Sequence, residues 1–329
     1  MPDFDRFVLE ATSWKEDVSP GTFSWSAAKY RLFRFCERAY FLRHYLAQGG
    51  WDAYSCERAQ QAFLEKYLST FDEWLGSVIE DSLDRALRET MPYHVSSGRG
   101  AALTEALQVH VSRHLLRAEP ELRFEEYWSD PKKLSFAELY YHTGEFASYK
   151  ELLEAAREIL SGFFSGLESS GLMERLLELD PLGWRLPPDF VEFPFAGTRI
   201  HMRPWLWALH RGKAVGIAFR FVHNPAKVPE RKYADPGNGL SEKVFALRVS
   251  QRYAGWSPEV WNGVCVGDRF EWSSFRPSPV TEEFVRDSTL AMLEKITAVP
   301  SIALTDFPKT EESAACENCR FRGVCRDMA

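Results

Sequence analysis

The stretch Cys316-Glu-Asn-Cys319-Arg-Phe-Arg-Gly-Val-Cys325 places three thiols within ten residues. A fourth thiol lies far earlier in the chain, in the segment Phe35-Cys36-Glu37-Arg38. Cys56 and Cys265 are the two remaining cysteines. Because clustered cysteines commonly act as metal ligands, we predict that Cys36 and the three late cysteines bind one metal centre. Such a centre would join the two ends of the fold.

Length, composition and charge limit the class of protein. The chain has 329 residues, of which 45% are hydrophobic and 14% aromatic, and this allows one large domain or two small ones with a sizeable core. A formal net charge of -7 argues against a surface that binds nucleic acid everywhere, but it leaves room for a local basic patch. The sequence has no apolar run of about 18 residues and no signal-peptide pattern, so we expect a cytoplasmic protein without a membrane span.

Helical patterns dominate the first half of the chain. Ser24 or Ser26 can cap a helix that continues to Phe41. Apolar residues at helical spacing predict further helices over 55–91, 101–118 and 134–179.

Strand patterns begin after Pro187-Pro188. Residues 190–195, 198–209 and 214–222 are predicted as three strands of a meander, with turns at Ala196-Gly197 and Arg211-Gly212. A helix over 240–253, one or two strands over 260–272 and a helix over 281–299 follow. This order of elements predicts an α/β fold with one mixed sheet flanked by helices.

The cysteine spacing alone leaves the metal open. Tetrahedral zinc sites usually take their ligands as two close pairs. A division into three late ligands and one early ligand suits an iron–sulfur cube, in which each cysteine binds a different iron. Some of the cysteines could also be ordinary buried thiols.

Three early segments resemble the N-terminus of bacterial RecB-like nucleases of the PD-(D/E)XK superfamily. They are Phe23-Ser24-Trp25-Ser26, residues 35–43 and Gly49-Gly50-Trp51-Asp52, and the late Cys-x2-Cys-x5-Cys resembles the C-terminus of the same family. The iron–sulfur branch of the family includes AddB-type helicase–nuclease subunits and CRISPR-associated RecB-like exonucleases. The resemblance implies a [4Fe–4S] cluster, with zinc as the alternative. The implied ligands are Cys36, Cys316, Cys319 and Cys325.

The resemblance also implies how the domain is organised. We expect residues 1–329 to form a single PD-(D/E)XK-like domain with a restriction-endonuclease-like mixed sheet flanked by helices. Within it, residues 55–180 would be a helical insertion and residues 187–299 the nuclease-like core. Residue 36 and residues 316–325 would form the iron–sulfur staple.

The motifs with which this family binds its catalytic metals are altered. Each family residue is replaced in the matching segment: histidine by Glu80, the strand aspartate by Trp205, the next carboxylate by Ala218, lysine by Arg220 and glutamine by Val249. A hard cation such as Mg²⁺ requires anionic oxygens, and a protonated arginine cannot act as a base. We therefore predict no catalytic residues and no nuclease activity. The alternative is an active metal-dependent DNA exonuclease with relocated acidic ligands around Glu80 and Glu192.

Basic residues near the cysteines suggest a partner. Cations at one end of the fold would form a local patch suited to a phosphate backbone, unless they pair with acids such as Glu37 and Glu317. The candidates for nucleic-acid contact are Lys29, Arg31, Arg34, Arg38, Arg203, Arg220, Arg320 and Arg322. Of these, Arg31, Arg34 and Arg38 are predicted to share one helix face at 3- and 4-residue spacing.

A further candidate contact face follows from strand alternation. If 198–209 is one strand, then His201, Arg203, Trp205 and Trp207 share a face, as a binding surface or as core.

The resemblance implies DNA as the ligand, as single strands or duplex ends, or a helicase or nuclease as the partner. The setting would be DNA repair or anti-phage defence. A third hypothesis is a structural subunit whose cluster only stabilises the fold.

Overall fold

The protein is a mixed α/β protein, seen in a computed structural model. The described residues are 23–52, 54–68, 70–90, 99–117, 146–179, 184–185, 191–202, 206–222, 239–297, 307–311, 316 and 319–326. The helices are α1 (Ala27–Phe35), α2 (Glu37–Phe41), a π-helix (Leu42–Leu46), α3 (Glu57–Glu65), α4 (Phe71–Thr90), α5 (Arg99–Arg117), α6 (Tyr149–Ser170), α7 (Leu172–Glu178), α8 (Leu240–Arg252), α9 (Glu282–Thr297) and α10 (Arg322–Arg326). The strands are β1 (Ser24–Trp25), β2 (Trp184–Arg185), β3 (Val191–Phe195), β4 (Thr198–Met202), β5 (Leu206–His210), β6 (Lys213–Val222), β7 (Ser257–Val266) and β8 (Arg269–Phe275).

These strands form two sheets, so the prediction of one mixed sheet is wrong for the described residues. The smaller sheet has the order β1-β4-β3, with β1 parallel to β4. The larger has the order β2-β5-β6-β7-β8, in which β6 and β7 are parallel and the other neighbours antiparallel. Each sheet is therefore mixed in itself.

The strand predicted over 198–209 is in fact two strands, β4 and β5, which belong to different sheets. Both predicted turns are present, and both of their residues have positive φ: 52° and 76° at Ala196-Gly197, and 46° and 77° at Arg211-Gly212. Tight turns with positive φ at both central residues close local hairpins. Because β4 is thereby paired with β3, and β5 with β6, the three predicted strands do not form one meander.

The helix predicted to run from Ser26 to Phe41 is interrupted at Cys36. Ser26 caps α1, as predicted, by accepting a hydrogen bond from the Lys29 amide at 3.1 Å. Cys36 then adopts an extended conformation, with φ -162° and ψ 110°, and its Sγ accepts a hydrogen bond from the Ala39 amide at the start of α2. The cysteine therefore lies in a break between two helices rather than within one.

Other helix predictions are confirmed with adjusted ends. The segment 55–91 contains α3 and α4 with a break between them, while 101–118 corresponds to α5. Of the segment 134–179, the part from 146 onward is described and contains α6 and α7. The predicted helices over 240–253 and 281–299 correspond to α8 and α9, and the break at Gly267-Asp268 separates β7 from β8.

The core has two large parts. Helices α4 to α7 pack on one face of the larger sheet, where Phe163 of α6 lies 5.9 Å from Phe219 and 5.0 Å from Phe270 between ring centroids. The other part joins α1, α2, α3, the smaller sheet, α8 and α9 to the C-terminal segment. No helix of the described ranges combines the length and apolar content that crossing a membrane requires.

The C-terminal segment packs deeply against the first helices. Phe321 and Val324 are fully buried, and Phe307 stacks on Phe41 with ring centroids 4.8 Å apart. The buried carboxylate of Glu65 in α3 accepts hydrogen bonds from the Val324 amide at 3.0 and 3.2 Å. A Cβ added at Gly323 would lie 2.2 Å from Glu65 Oε1, so the absence of a side chain there allows this close approach. These contacts hold early and late residues together without any metal.

We expect Glu65→Ala to lower the free energy of unfolding by about 1–3 kcal/mol, because the buried Val324 amide loses its partner. Urea unfolding followed by circular dichroism measures the change. Glu158→Ala, on the exposed face of α6, is the matched control and should change stability by less than about 0.5 kcal/mol. Equal effects of the two substitutions would contradict this account of the C-terminal segment.

Candidate functional site

The four cysteines predicted as ligands are neighbours in the structure. Cys36 lies in the break between α1 and α2, while Cys319 and Cys325 lie in the C-terminal segment, and these three are partly buried. Cys316 is exposed, and all four are free thiols. The pKa of Cys319 is raised to about 12, mainly by burial and also by charge repulsion from the nearby Cys36, Cys325 and Cys316 thiols, while a backbone hydrogen bond from Phe321 acts in the opposite direction. Residues from opposite parts of the sequence therefore meet here.

Hydrogen-bond donors point at three of these sulfurs. The Ala39 amide donates to Cys36 Sγ at 3.4 Å, and the Phe321 amide donates to Cys319. Burial raises the pKa of Cys325, while Lys309 and the hydrogen-bonding Arg38 side chain act in the opposite direction. Donors of this kind stabilise thiolates, the form in which cysteine binds metals.

The thiols are close together, but they do not form a ligand set. Among the residues with described positions, no group of three or more His, Cys, Asp or Glu side chains is arranged to hold a metal ion. Thiols with N–H donors nearby are chemically suited to a thiophilic metal centre, and Cys36, Cys316, Cys319 and Cys325 are the residues that would hold it.

The two other cysteines differ in their surroundings. Cys265 is buried in the core beside α6, its thiol donates to the Gly267 carbonyl at 3.4 Å, and burial raises its pKa to about 12. Cys56 is partly buried and immediately precedes α3. Cys265 thus belongs to a different part of the core from Cys36, Cys319 and Cys325, whereas Cys56 packs against the same part as they do.

Strand β6 carries two of the altered positions, Ala218 and Arg220, and its two faces differ. Val215, Ile217, Phe219 and Phe221 belong to the core shared with α4 to α7. On the alternate face, Ala214 packs with Phe245 and Val249 of α8. Alternation along the strand places Ala218 and Arg220 on that same face, beneath α8.

Arg220 forms an ion pair with Glu242 in the first turn of α8. The Arg220 side chain is 39% exposed, whereas that of Glu242 is 3% exposed. A nearly buried carboxylate requires a charged partner, and Arg220 provides it. Glu242 was not predicted from the sequence, because an acid in the first turn of a helix is equally typical of a solvent-exposed position.

Of the remaining altered positions, Ala218 and Val249 lie in the core and Trp205 lies outside the described ranges. Ala218 and Val249 are buried at 5% and 1% exposure, and neither side chain can bind a cation. Trp207 packs edge-on against Tyr253, with ring centroids 5.5 Å apart, and against Phe245. Trp205 and Arg203 fall outside the described residues. Because His201 and Trp207 belong to different sheets, the single strand face predicted to carry them does not exist.

The two acids of the alternative hypothesis lie on separate elements. Glu80 is partly buried on α4, the helix that packs on β6. Glu192 lies on β3 of the smaller sheet, where it contacts His201 at 2.8 Å and Arg199 at 3.7 Å. The described residues do not bring these acids into a group able to hold a metal.

The predicted basic contacts have separate surroundings rather than one helix face. Lys29 is largely buried and donates to the Ser24 carbonyl and hydroxyl at 2.8 and 2.7 Å, and burial lowers its pKa to about 8. Arg38 donates to the Phe307 carbonyl at 3.0 Å. Arg31 donates to the Ser241 hydroxyl at 3.2 Å, and Arg34 is exposed on α1. Because the chain breaks at Cys36, the proposed common face of Arg31, Arg34 and Arg38 is not formed as predicted.

The two predicted cations of the C-terminal segment are both partly buried. Arg320 forms an ion pair with Glu73 at 2.9 Å, and Arg322 begins α10. Arg320 also donates to the Lys66 carbonyl at 3.5 Å, as does Arg43. Arg43 and Lys66 were not predicted as contact residues. The available signal was the alternation of cations with Phe63 and Tyr67 in α3 and the turn after it.

Comparison with known proteins adds little to this geometry. No protein-family model matches the chain, and no curated protein matches it. Among solved structures, the chain is similar to SSO0001, with 16% identity over 75% of this chain and 95% of that chain, at a TM-score of 0.31. A likeness at this level carries no argument about function.

We expect Arg220→Met to lower the free energy of unfolding by about 3 kcal/mol, because it leaves the buried Glu242 carboxylate without its cation. The double variant Arg220→Met/Glu242→Leu should recover most of that loss, since no buried charge then remains. Chemical denaturation of the two single variants and the double variant measures the coupling.

The matched control is Arg286→Met, which breaks the exposed ion pair of Arg286 with Glu282. This substitution should change stability by less than about 0.5 kcal/mol. Additive losses in the Arg220/Glu242 cycle would show that the two residues do not depend on each other.

Proposed function

We propose that the chain is an iron–sulfur protein of the RecB-like nuclease class that binds DNA, or a helicase or nuclease partner, without cleaving DNA itself. The observation on which the proposal rests is the Arg220–Glu242 ion pair beneath α8. Arg220 stands where the resemblance implies a lysine, and Ala218 stands where it implies a metal-binding carboxylate. Buried Ala218 and Val249 complete a surface without cation ligands.

The physical reason for inactivity is the absence of hard ligands at these positions. A divalent ion that activates water must be held by several oxygens, as must an ion that stabilises a phosphoryl transition state. Glu242 of α8, the carboxylate that contacts Arg220 of β6, is already neutralised by that arginine. Arginine can still contact a phosphate, so loss of hydrolysis is compatible with retained binding.

The cofactor part of the proposal is supported by the four neighbouring thiols. Cys36, Cys316, Cys319 and Cys325 would hold the cluster, and the N–H donors at three of the sulfurs would favour their thiolate forms. When bound, the cluster would supply iron–thiolate bonds between the α1–α2 break and the C-terminal segment. Zinc in the same thiols is the alternative.

Anaerobic reconstitution with iron and sulfide tests the cofactor. We expect about four irons per chain and a broad charge-transfer absorption, because a cube takes one thiolate for each iron. Cys36→Ser and Cys319→Ser should abolish this absorption, whereas Cys56→Ser, the control, should retain it. One zinc per chain and no iron would establish the alternative, and retention of iron by Cys36→Ser would reject the proposed ligands.

Incubation with DNA tests the activity. Cluster-loaded protein is mixed with labelled single-stranded and duplex DNA in the presence of Mg²⁺ or Mn²⁺. We expect a mobility shift that weakens with salt, since phosphate contacts release counterions, and no cleavage products. Cleavage that Glu80→Ala removes would instead establish the exonuclease hypothesis. Absence of both binding and cleavage would leave a structural subunit or a protein partner.

A further inference from the structure

A turn between the π-helix and α3 exposes two aromatic side chains. Trp51 is 62% exposed and Tyr54 is 94% exposed. Large aromatic residues usually bury most of their surface, so two exposed rings in one short turn suggest a binding surface.

The turn that presents these rings is held in place. The Tyr54 amide donates to the Asp52 carboxylate at 2.9 Å, and the Ser55 hydroxyl donates to the Gly49 carbonyl at 2.6 Å. A Cβ added at Gly50 would lie 2.2 Å from the Ala59 carbonyl oxygen, so the turn packs directly on α3. The described residues of this turn are thus tied to one another and to α3.

A basic cluster lies on the same side of α3. It consists of Arg43, Lys66 and Arg320, in which the Arg43 and Arg320 guanidinium groups both donate to the Lys66 carbonyl at 3.5 Å. In the part of the chain that the structure describes, Glu73 is the carboxylate that contacts this cluster, through its ion pair with Arg320 at 2.9 Å. Three cations beside one acid leave a local positive charge on a protein whose net charge is -7.

The cations lower one another's proton affinity. The pKa of Lys66 is lowered to about 8, mainly by burial and in part by Arg43. The pKa of Arg43 is lowered to about 10, mainly by burial and in part by Arg320, while Glu73 and Tyr67 act in the opposite direction. An anion placed between these groups would relieve the repulsion between them.

Phe63 connects the aromatic turn to the basic cluster. Its ring lies 6.0 Å from the Trp51 ring on one side, and the Lys66 ammonium lies 4.4 Å from its centroid. The single side chain of Phe63 therefore contacts both the exposed Trp51 ring and the Lys66 ammonium.

We propose that one nucleic-acid strand binds across this surface, with phosphates on the basic cluster and an unpaired base stacked on Trp51. The proposal rests on the proposed function and specifies its ligand as single-stranded rather than duplex. Stacking requires a free base face, which a duplex offers only at its ends. Basic residues beside exposed aromatic rings are the combination that binds single strands without reading their sequence.

The test measures binding of a fluorescein-labelled oligothymidylate of about 15 nucleotides by anisotropy, using the full chain. We expect Trp51→Ala to weaken binding about 5- to 150-fold, the range for losing one stacked base. Trp51→Phe should restore most of the affinity because it keeps a ring. Lys66→Gln should weaken binding and reduce the slope of log affinity against log salt by about 0.7, the value for one lost phosphate contact on a single strand.

Matched controls remove comparable groups elsewhere. Phe275→Ala removes an aromatic side chain that is 41% exposed on β8, and Lys150→Gln removes a cation of α6 that is 85% exposed. Both variants should bind the oligonucleotide as the unaltered chain does. Circular dichroism and urea unfolding of each variant confirm that differences in affinity do not arise from misfolding.

The outcomes separate this inference from the proposed function. If the unaltered chain binds neither single-stranded nor duplex DNA, DNA binding itself is rejected and the inference fails with it. If the chain binds DNA but Trp51→Ala and Lys66→Gln bind as tightly as the controls, this inference alone is overturned. Tighter binding to a blunt duplex than to the single strand would overturn it as well.

Discussion

The bond between the buried Glu65 carboxylate and the Val324 amide helps to position the C-terminal parts of two candidate sites. It fixes the C-terminal segment against α3, and Gly323 permits the approach because it has no side chain. Cys319, Cys325 and Arg320 are carried on that segment. Together with the burial of Phe321 and Val324, this contact sets the late thiols relative to Cys36, and Arg320 relative to Arg43 and Lys66.

Two different ligand chemistries therefore depend on one packing arrangement. On one side of the C-terminal segment lie the partly buried thiols, whose donors favour the thiolate form. On the other side Arg320 joins cations from the π-helix and from the turn after α3.

Strand β6 does not depend on the C-terminal segment in this way. Small residues on its α8 face leave space for the Arg220–Glu242 ion pair. A carboxylate neutralised in this way is a weak ligand for a divalent cation.

Much of the local structure could be predicted from the sequence, because it depends on short-range chemistry. Ser26 caps α1, the Ala196-Gly197 and Arg211-Gly212 pairs form tight turns, and the helices over 240–253 and 281–299 are present. The division into two sheets could not be predicted in this way. An alternating segment such as 198–209 favours a strand, but the pattern does not reveal that its two halves pair with different hairpins.

For the candidate site, the sequence by itself determined which chemistry is available: thiols at both ends of the fold, no carboxylates at positions 205, 218 and 249, and cations interleaved with aromatics. The iron–sulfur cluster and the RecB-like family remain predictions from that sequence. Only the tertiary structure decided which residues meet. Glu242 neutralises Arg220, Glu65 anchors the C-terminal segment, and Lys66 lies between two guanidinium groups. The physical reason is that these contacts join residues distant in sequence, whose burial and charge environment arise only when the chain packs.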